Sequence, residues 1–103
     1  MFLGKVIGTV WSTRKDENLV GAKFLIVRQL DLNLKEKDTF VVAVDSVGAG
    51  EGEVVLVATG SSSRQTEFTK NKPVDAVIMA IVDKLDIALK KQLSKQEVEK
   101  LSN

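Results

Sequence analysis

Between residues 1 and 83 the chain alternates short apolar runs with polar, turn-forming segments. Residues 1–12 carry Leu3, Val6, Ile7, Val10 and Trp11, with Gly4 and Gly8 interspersed. Apolar residues fall on both alternation faces, which predicts a strand covered on both sides for part of its length. The two glycines predict bends or a close backbone approach, as at a barrel corner. Residues 12–18 (STRKDEN) read as a polar turn, 23–30 (KFLIVRQL) as a second strand, 31–38 as a polar hairpin connection and 40–45 (FVVAVD) as a third strand. Three glycines, Gly48, Gly50 and Gly52, then fall within five positions, so the backbone there is expected to visit positive φ. Residues 53–59 (EVVLVAT) form a fourth strand, a loop runs from Gly60 to Pro73, and 75–82 (DAVIMAIV) form the fifth and most apolar strand. β-Branched residues dominate these runs and turn signals recur every ten or so residues, a spacing that favours a small all-β barrel or sandwich. Phe24 and Phe40 lie within apolar strands and read as core.

The last twenty residues differ in character. Five lysines against three acids give them a charge of +2, leaving −1 for residues 1–83. Ser94-Lys95-Gln96-Glu97 fits a capping box with Ser94 as N-cap and Glu97 at N3. Leu93, Val98 and Leu101 lie on one stripe of a short helix over about 94–101. Leu85, Ile87 and Leu89 alternate, so residues 84–90 fit a short strand as well. A helix this short is marginal alone in water, so its stripe is expected to pack on something.

Composition narrows the function classes. The 103 residues suit one domain, with 15 Lys and Arg against 14 Asp and Glu. There is no Cys, hence no disulfide framework and no thiolate nucleophile, and no His, the commonest general base and transition-metal ligand. The longest apolar run, 76–82, is far short of a membrane-spanning helix, and the N-terminus lacks the pattern of a signal peptide, so the expected compartment is the cytoplasm. A net charge of +1 argues against a general nucleic-acid binder.

Four groups of residues are candidates for chemistry. The GAGEGE segment invites comparison with phosphate-binding loops, but it lies between strands, whereas such loops need a helix directly after the glycines. It therefore reads as a tight strand connection. Gly60-Ser61-Ser62-Ser63-Arg64 offers several donors to an anion or carboxylate, and equally reads as a turn whose Arg64 pairs with an acid, including one on a neighbouring copy. Asp45, Asp75 and Asp83 stand at strand ends, without the spacing of a hard-ion loop. The five aromatics, Phe2, Trp11, Phe24, Phe40 and Phe68, are not interleaved with a basic cluster, as single-strand binding would want. No catalytic residue, cofactor or metal site is assigned.

The order of motifs is specific. Leu3-Gly4-Lys5-Val6-Ile7-Gly8-Thr9-Val10 comes first, followed by Leu19-Val20-Gly21-Ala22-Lys23 and Ala43-Val44-Asp45-Ser46-Val47-Gly48-Ala49-Gly50. Gly52-Glu53, Val55-Leu56-Val57, Gly60-Ser61-Ser62 with Arg64, and Pro73-Val74-Asp75-Ala76 running into Ile81-Val82-Asp83 complete it. Over about residues 1–84 this resembles the bacterial microcompartment vertex proteins, the EutN/CcmL family. The resemblance implies a small five-stranded β-barrel, similar to an OB-fold, in residues 1–84, with residues 85–103 as a partly helical C-terminal extension. It further implies a homopentamer that closes the five-fold vertices of a cytoplasmic protein shell. Hexameric shell proteins would be its neighbours and encapsulated enzymes a further contact, with no bond made or broken by the chain. Val54, where family members often carry Trp, and Ser63, where they often carry Ala, depart from the pattern but leave a strand and a turn intact. On this reading Asp45, Gly48, Ala49, Gly50, Glu53, Ser61, Ser62 and Arg64 are expected at the subunit contacts, with Arg64 pairing across them to Asp45 or Glu53. The alternative, from a different class, is an OB-like binding module for nucleic acid or a small anionic ligand, which would bind oligonucleotides in a salt-dependent way.

Overall fold

The computed structural model describes residues 1–12, 17, 21–60 and 75–86. Five strands occur in order: β1 (Phe2–Val10), β2 (Phe24–Leu30), β3 (Glu36–Asp45), β4 (Val54–Thr59) and β5 (Ala76–Ile81). They close into a barrel in the order β1-β2-β3-β5-β4, with β4 pairing back onto β1. All contacts are antiparallel except a short parallel one, Val44 with Val77 and Asp45 with Ile78, between β3 and β5. Closure gives every strand two neighbours, although β3 meets β5 over two residue pairs only, as in a partly open barrel.

The core follows from strand alternation. Val6, Leu25, Val27, Ala43, Val55, Val57 and Ile78 fill the interior, with Phe2, Val41 and Ile81 packed against them. Two smaller clusters lie elsewhere. Ala22, Val44, Ala58 and Val77 pack with Phe24 and Met79, and Leu30, Leu34 and Val54 pack with Leu3, Val82 and Leu85. These explain why β4 reads as a continuous apolar run: Val54, Val55, Val57 and Ala58 are all buried.

Both glycines of β1 have a structural cause. A Cβ on Gly4 would collide with the Val27 side chain and press on the Arg28 carbonyl oxygen, so the bare backbone is what lets β1 close against β2. The register shifts between Val6 and Gly8, leaving Ile7 unpaired as a bulge. The bulge reverses the alternation: Val6 lies inside, while Gly8 and Val10 pair with the outward-facing Ile26 and Phe24.

The third strand begins earlier than its apolar pattern announces, at Glu36 rather than near Phe40. The polar segment 36–39 is held in the ladder by its side chains. Thr39 donates its hydroxyl to Gln29 Oε1 at 2.8 Å, and Arg28 reaches the Lys37 carbonyl at 3.4 Å and Glu36 at 3.8 Å. The connection shortens to 31–35, where Asp31 Oδ1 accepts the N–H groups of Asn33 and Lys35 at 2.8 and 3.0 Å. Leu34 there adopts φ 62°, a left-handed conformation costly for a branched side chain, and is fully buried against Leu30 and Val54. The expected helix over 94–101 lies outside the described residues.

Candidate subunit interface

The end of β3 and its connection to β4 contain five of the eight residues assigned to subunit contacts. The connection is built around two acids. Asp45, the last residue of β3, turns one carboxylate oxygen onto the loop that follows, and Oδ1 accepts the N–H groups of Val47, Gly48 and Ala49 at 3.1, 3.1 and 3.2 Å. Glu53, just before β4, accepts the Gly50 N–H on Oε1 at 2.7 Å, while its own N–H donates to the Gly50 carbonyl at 3.2 Å. Gly48 and Gly52 supply the positive φ of 77° and 86° that these two turns require. Successive N–H groups converging on one carboxylate make a compact, self-satisfied turn of the Asx type.

The loop is also bolted to the barrel. Ala49 is buried in the interior cluster, Gly52 donates to the Val6 carbonyl at 2.8 Å, and Val6 donates to the Glu53 carbonyl at 3.0 Å. Ser46 donates its hydroxyl to the Ile78 carbonyl at 2.6 Å. What remains outside is a ridge with exposed Val47, Gly48 and Glu51. Asp45, Gly48, Ala49, Gly50 and Glu53 are therefore brought together as one rigid element. Ser61, Ser62 and Arg64 lie outside the described residues. The Asp45 oxygen that takes three loop amides is committed within its own chain, so any cross-subunit partner would have to use the other oxygen.

A second feature lies on the outer face of β1, β2 and β3. Three ladder rows cross it: Val10–Phe24–Val44, then Gly8–Ile26–Val42, then Lys5–Arg28–Phe40. The first row is largely covered, since Val44 is buried and Phe24 packs beside it. The other rows are not. Phe40 is 59% exposed, Val42 44% and Ile7 41%. Beside the first row, Val10, Trp11, Ala22 and Phe24 line an open cleft of about 350 Å³. Trp11 itself is 89% exposed.

Phe40 is thus not core, contrary to the reading of its apolar strand. In β3, Val41 and Ala43 point inward, so Phe40 and Val42 must point out. The signal was present: a strand apolar on both alternation faces needs a covering on each, and the barrel interior provides only one. Sequence reasoning assigned the glycine-rich loop but missed this face, because an outward aliphatic position in a strand looks the same as an inward one.

Among the described residues, no three acidic side chains converge as a metal site would need. The geometry offers shape and apolar surface, and comparison with known proteins agrees in kind. The family model described as ethanolamine utilisation protein EutN/carboxysome matches residues 1–83. The chain belongs to the EutN/CcmL family. Within that family it is 48% identical over 86 residues to GrpN of Rhodospirillum rubrum, a bacterial microcompartment shell vertex protein, covering 84% of this chain and 97% of that one. It is 44% identical over 88 residues to CcmL of Synechocystis, a carboxysome shell vertex protein, covering 85% and 88%. Among solved structures, Gloeobacter violaceus CcmL superposes with a TM-score of 0.86 at 38% identity, covering 93% of this chain and 99% of that one. The R. rubrum GrpN structure, a pentameric microcompartment shell protein, superposes with a TM-score of 0.78 at 46% identity, covering 85% and 100%.

Proposed function

We propose that this chain is the vertex subunit of a bacterial microcompartment shell, five copies closing into a ring that caps a five-fold corner. The observation that carries this reading is the match at 46% identity to the whole length of a pentameric shell protein. A sheet of six-fold tiles lies flat until five-fold units are inserted, and a subunit repeated about a five-fold axis is such a unit. The task is mechanical: the chain supplies a rigid wedge and performs no catalysis. Its neighbours in the shell are hexameric shell proteins, its location is the cytoplasm, and enzymes enclosed by the shell are a further contact.

The barrel of residues 1–84 builds the ring, and residues 85–103 extend from it, beginning at Leu85, which packs on the Leu30 and Val54 cluster. The preformed loop with Asp45, Gly48, Ala49, Gly50 and Glu53 forms part of the subunit contact, together with Ser61, Ser62 and Arg64. A loop already ordered in the single subunit loses little freedom on docking, which favours a tight, unique ring. Native mass spectrometry tests the reading. A particle of about 56 kDa, five times the 11.2 kDa chain mass, is expected. A stable, folded monomer at micromolar concentration would refute it.

A further inference from the structure

We infer that the outer face of β1–β2–β3 is one of the two unlike halves of the ring seam, that its occupant is a second copy of this chain, and that Phe40 is its anchor. The inference rests on the pentameric reading above and specifies where the ring closes.

The first step is symmetry. A closed ring with an odd number of identical subunits cannot be built from two-fold contacts alone, because those pair subunits off. Each copy must present two different surfaces, and each junction is head-to-tail. The ridge of the β3–β4 loop is the surface already assigned. It joins β1 through Val6, on the strand edge opposite to β2. The outer face of β1–β2–β3 is therefore a separate surface, on a neighbouring side of the barrel.

The second step is what that face offers. Gly8, Ile26 and Val42 form a row across three strands, Ile7 stands beside Gly8 as the unpaired bulge residue, and Phe40 lies one row further, opposite Arg28 and, beyond it, Lys5. With strands about 4.8 Å apart and rows about 6.8 Å apart, the strip and its side chains cover roughly 300 Å². That is as large as the main apolar patch of a typical monomer. It is less than half of the roughly 800 Å² that each partner commonly contributes to a stable contact, which leaves room for the loop residues beside it. Lys5 and Arg28 border the strip in Phe40's own row, and the largely covered Val10–Phe24–Val44 row borders it on the other side. Apolar residues beside charged ones that can stay at the solvated margin suit a specific protein contact. Phe40 is the largest of these side chains, and Arg28 flanks it on the paired strand, so truncating Phe40 removes the most contact area.

The test uses the full chain. Native mass spectrometry over a dilution series is run on wild type, on Phe40→Asp and Val42→Asp, and on Leu32→Ser, an apolar residue 73% exposed in the 31–35 turn and off the strip. The expected result is a five-chain particle for wild type and for Leu32→Ser, and single chains with an unchanged far-UV spectrum for both strip variants. The milder Phe40→Ala should raise the midpoint of dissociation about tenfold or more. Five-chain particles from both strip variants would overturn the inference and leave the ring reading standing. A monomeric wild type would overturn the ring reading itself. Hydroxyl-radical footprinting of the wild-type ring gives a check that needs no variant. Phe40 is expected to be protected relative to Leu32, and equal oxidation of the two would overturn the assignment.

Discussion

Removing the Asp45 carboxylate should loosen the β3–β4 loop by a calculable amount. Three backbone N–H groups converge on its Oδ1, from Val47, Gly48 and Ala49. In Asp45→Ala all three lose their acceptor, but not equally. Val47 and Gly48 are exposed and can turn to water, so each contributes a few tenths of a kcal/mol. Ala49 is buried in the barrel interior, and its amide is poorly placed to find a replacement. Leaving a buried amide unsatisfied costs about 1–3 kcal/mol. The expected total is about 2–3 kcal/mol for Asp45→Ala. Asp45→Asn keeps a neutral oxygen in the same place and should cost about 1 kcal/mol or less. Urea denaturation at fixed protein concentration measures both, since ring assembly would make the midpoint concentration-dependent. With a slope of about 1–3 kcal/mol/M, the alanine variant should lose roughly 0.7–3 M in midpoint. Native-state hydrogen exchange gives the local readout: the Ala49 amide should exchange faster in Asp45→Ala while amides in β2 change less. If Asp45→Ala and Asp45→Asn prove as stable as wild type, the loop is held by something other than this carboxylate and the reasoning fails.

Three further outcomes are expected. Gly4→Ala places a methyl group against the buried Val27, and overpacking of this kind costs about 1–3 kcal/mol, seen as a Tm lowered by about 4–8 °C per kcal/mol; adding Val27→Ala should recover part of the loss, and simple additivity would argue against the contact. Gly48→Val forces a β-branched side chain into φ 77° and should cost at least about 1 kcal/mol in thermal melts, although a Cβ there meets nothing within 4 Å of its own subunit; a ring that dissociates more than this loss explains would place Gly48 in the contact, and an unaltered melt would show that the turn relaxes. Trp11 is the single tryptophan, is 89% exposed and lines the cleft beside the Val10–Phe24–Val44 row, one row from the exposed strip, so its emission should move to the blue as rings assemble from dilute chain; an emission maximum independent of concentration would put it off the seam.

Most of the strand order was legible from alternation. The runs 23–30, 53–59 and 75–82 each contain a strand of the barrel, because aliphatic β-branched residues between turn signals have few other stable arrangements. The glycine cluster at 48–52 was legible as a turn, since positive φ is most easily met there by glycine. The start of β3 was not. Glu36, Lys37, Asp38 and Thr39 have no apolar pattern, and only cross-strand partners such as Gln29 and Arg28 hold them in the ladder.

The roles of Asp45 and Phe40 mark the boundary between the two sources of information. The sequence alone determined the family, the number of strands and the presence of more apolar surface than one barrel interior can enclose. It could not say that Asp45 serves its own loop, because a hydrogen bond depends on where the chain returns. Nor could it say which apolar face was left outside. Barrel closure and the bulge at Ile7 decide that together: closure turns one side of every strand inward, and a single extra residue reverses the alternation of β1. Inward and outward valines have identical chemistry, so only the three-dimensional path of the backbone separates core from contact surface.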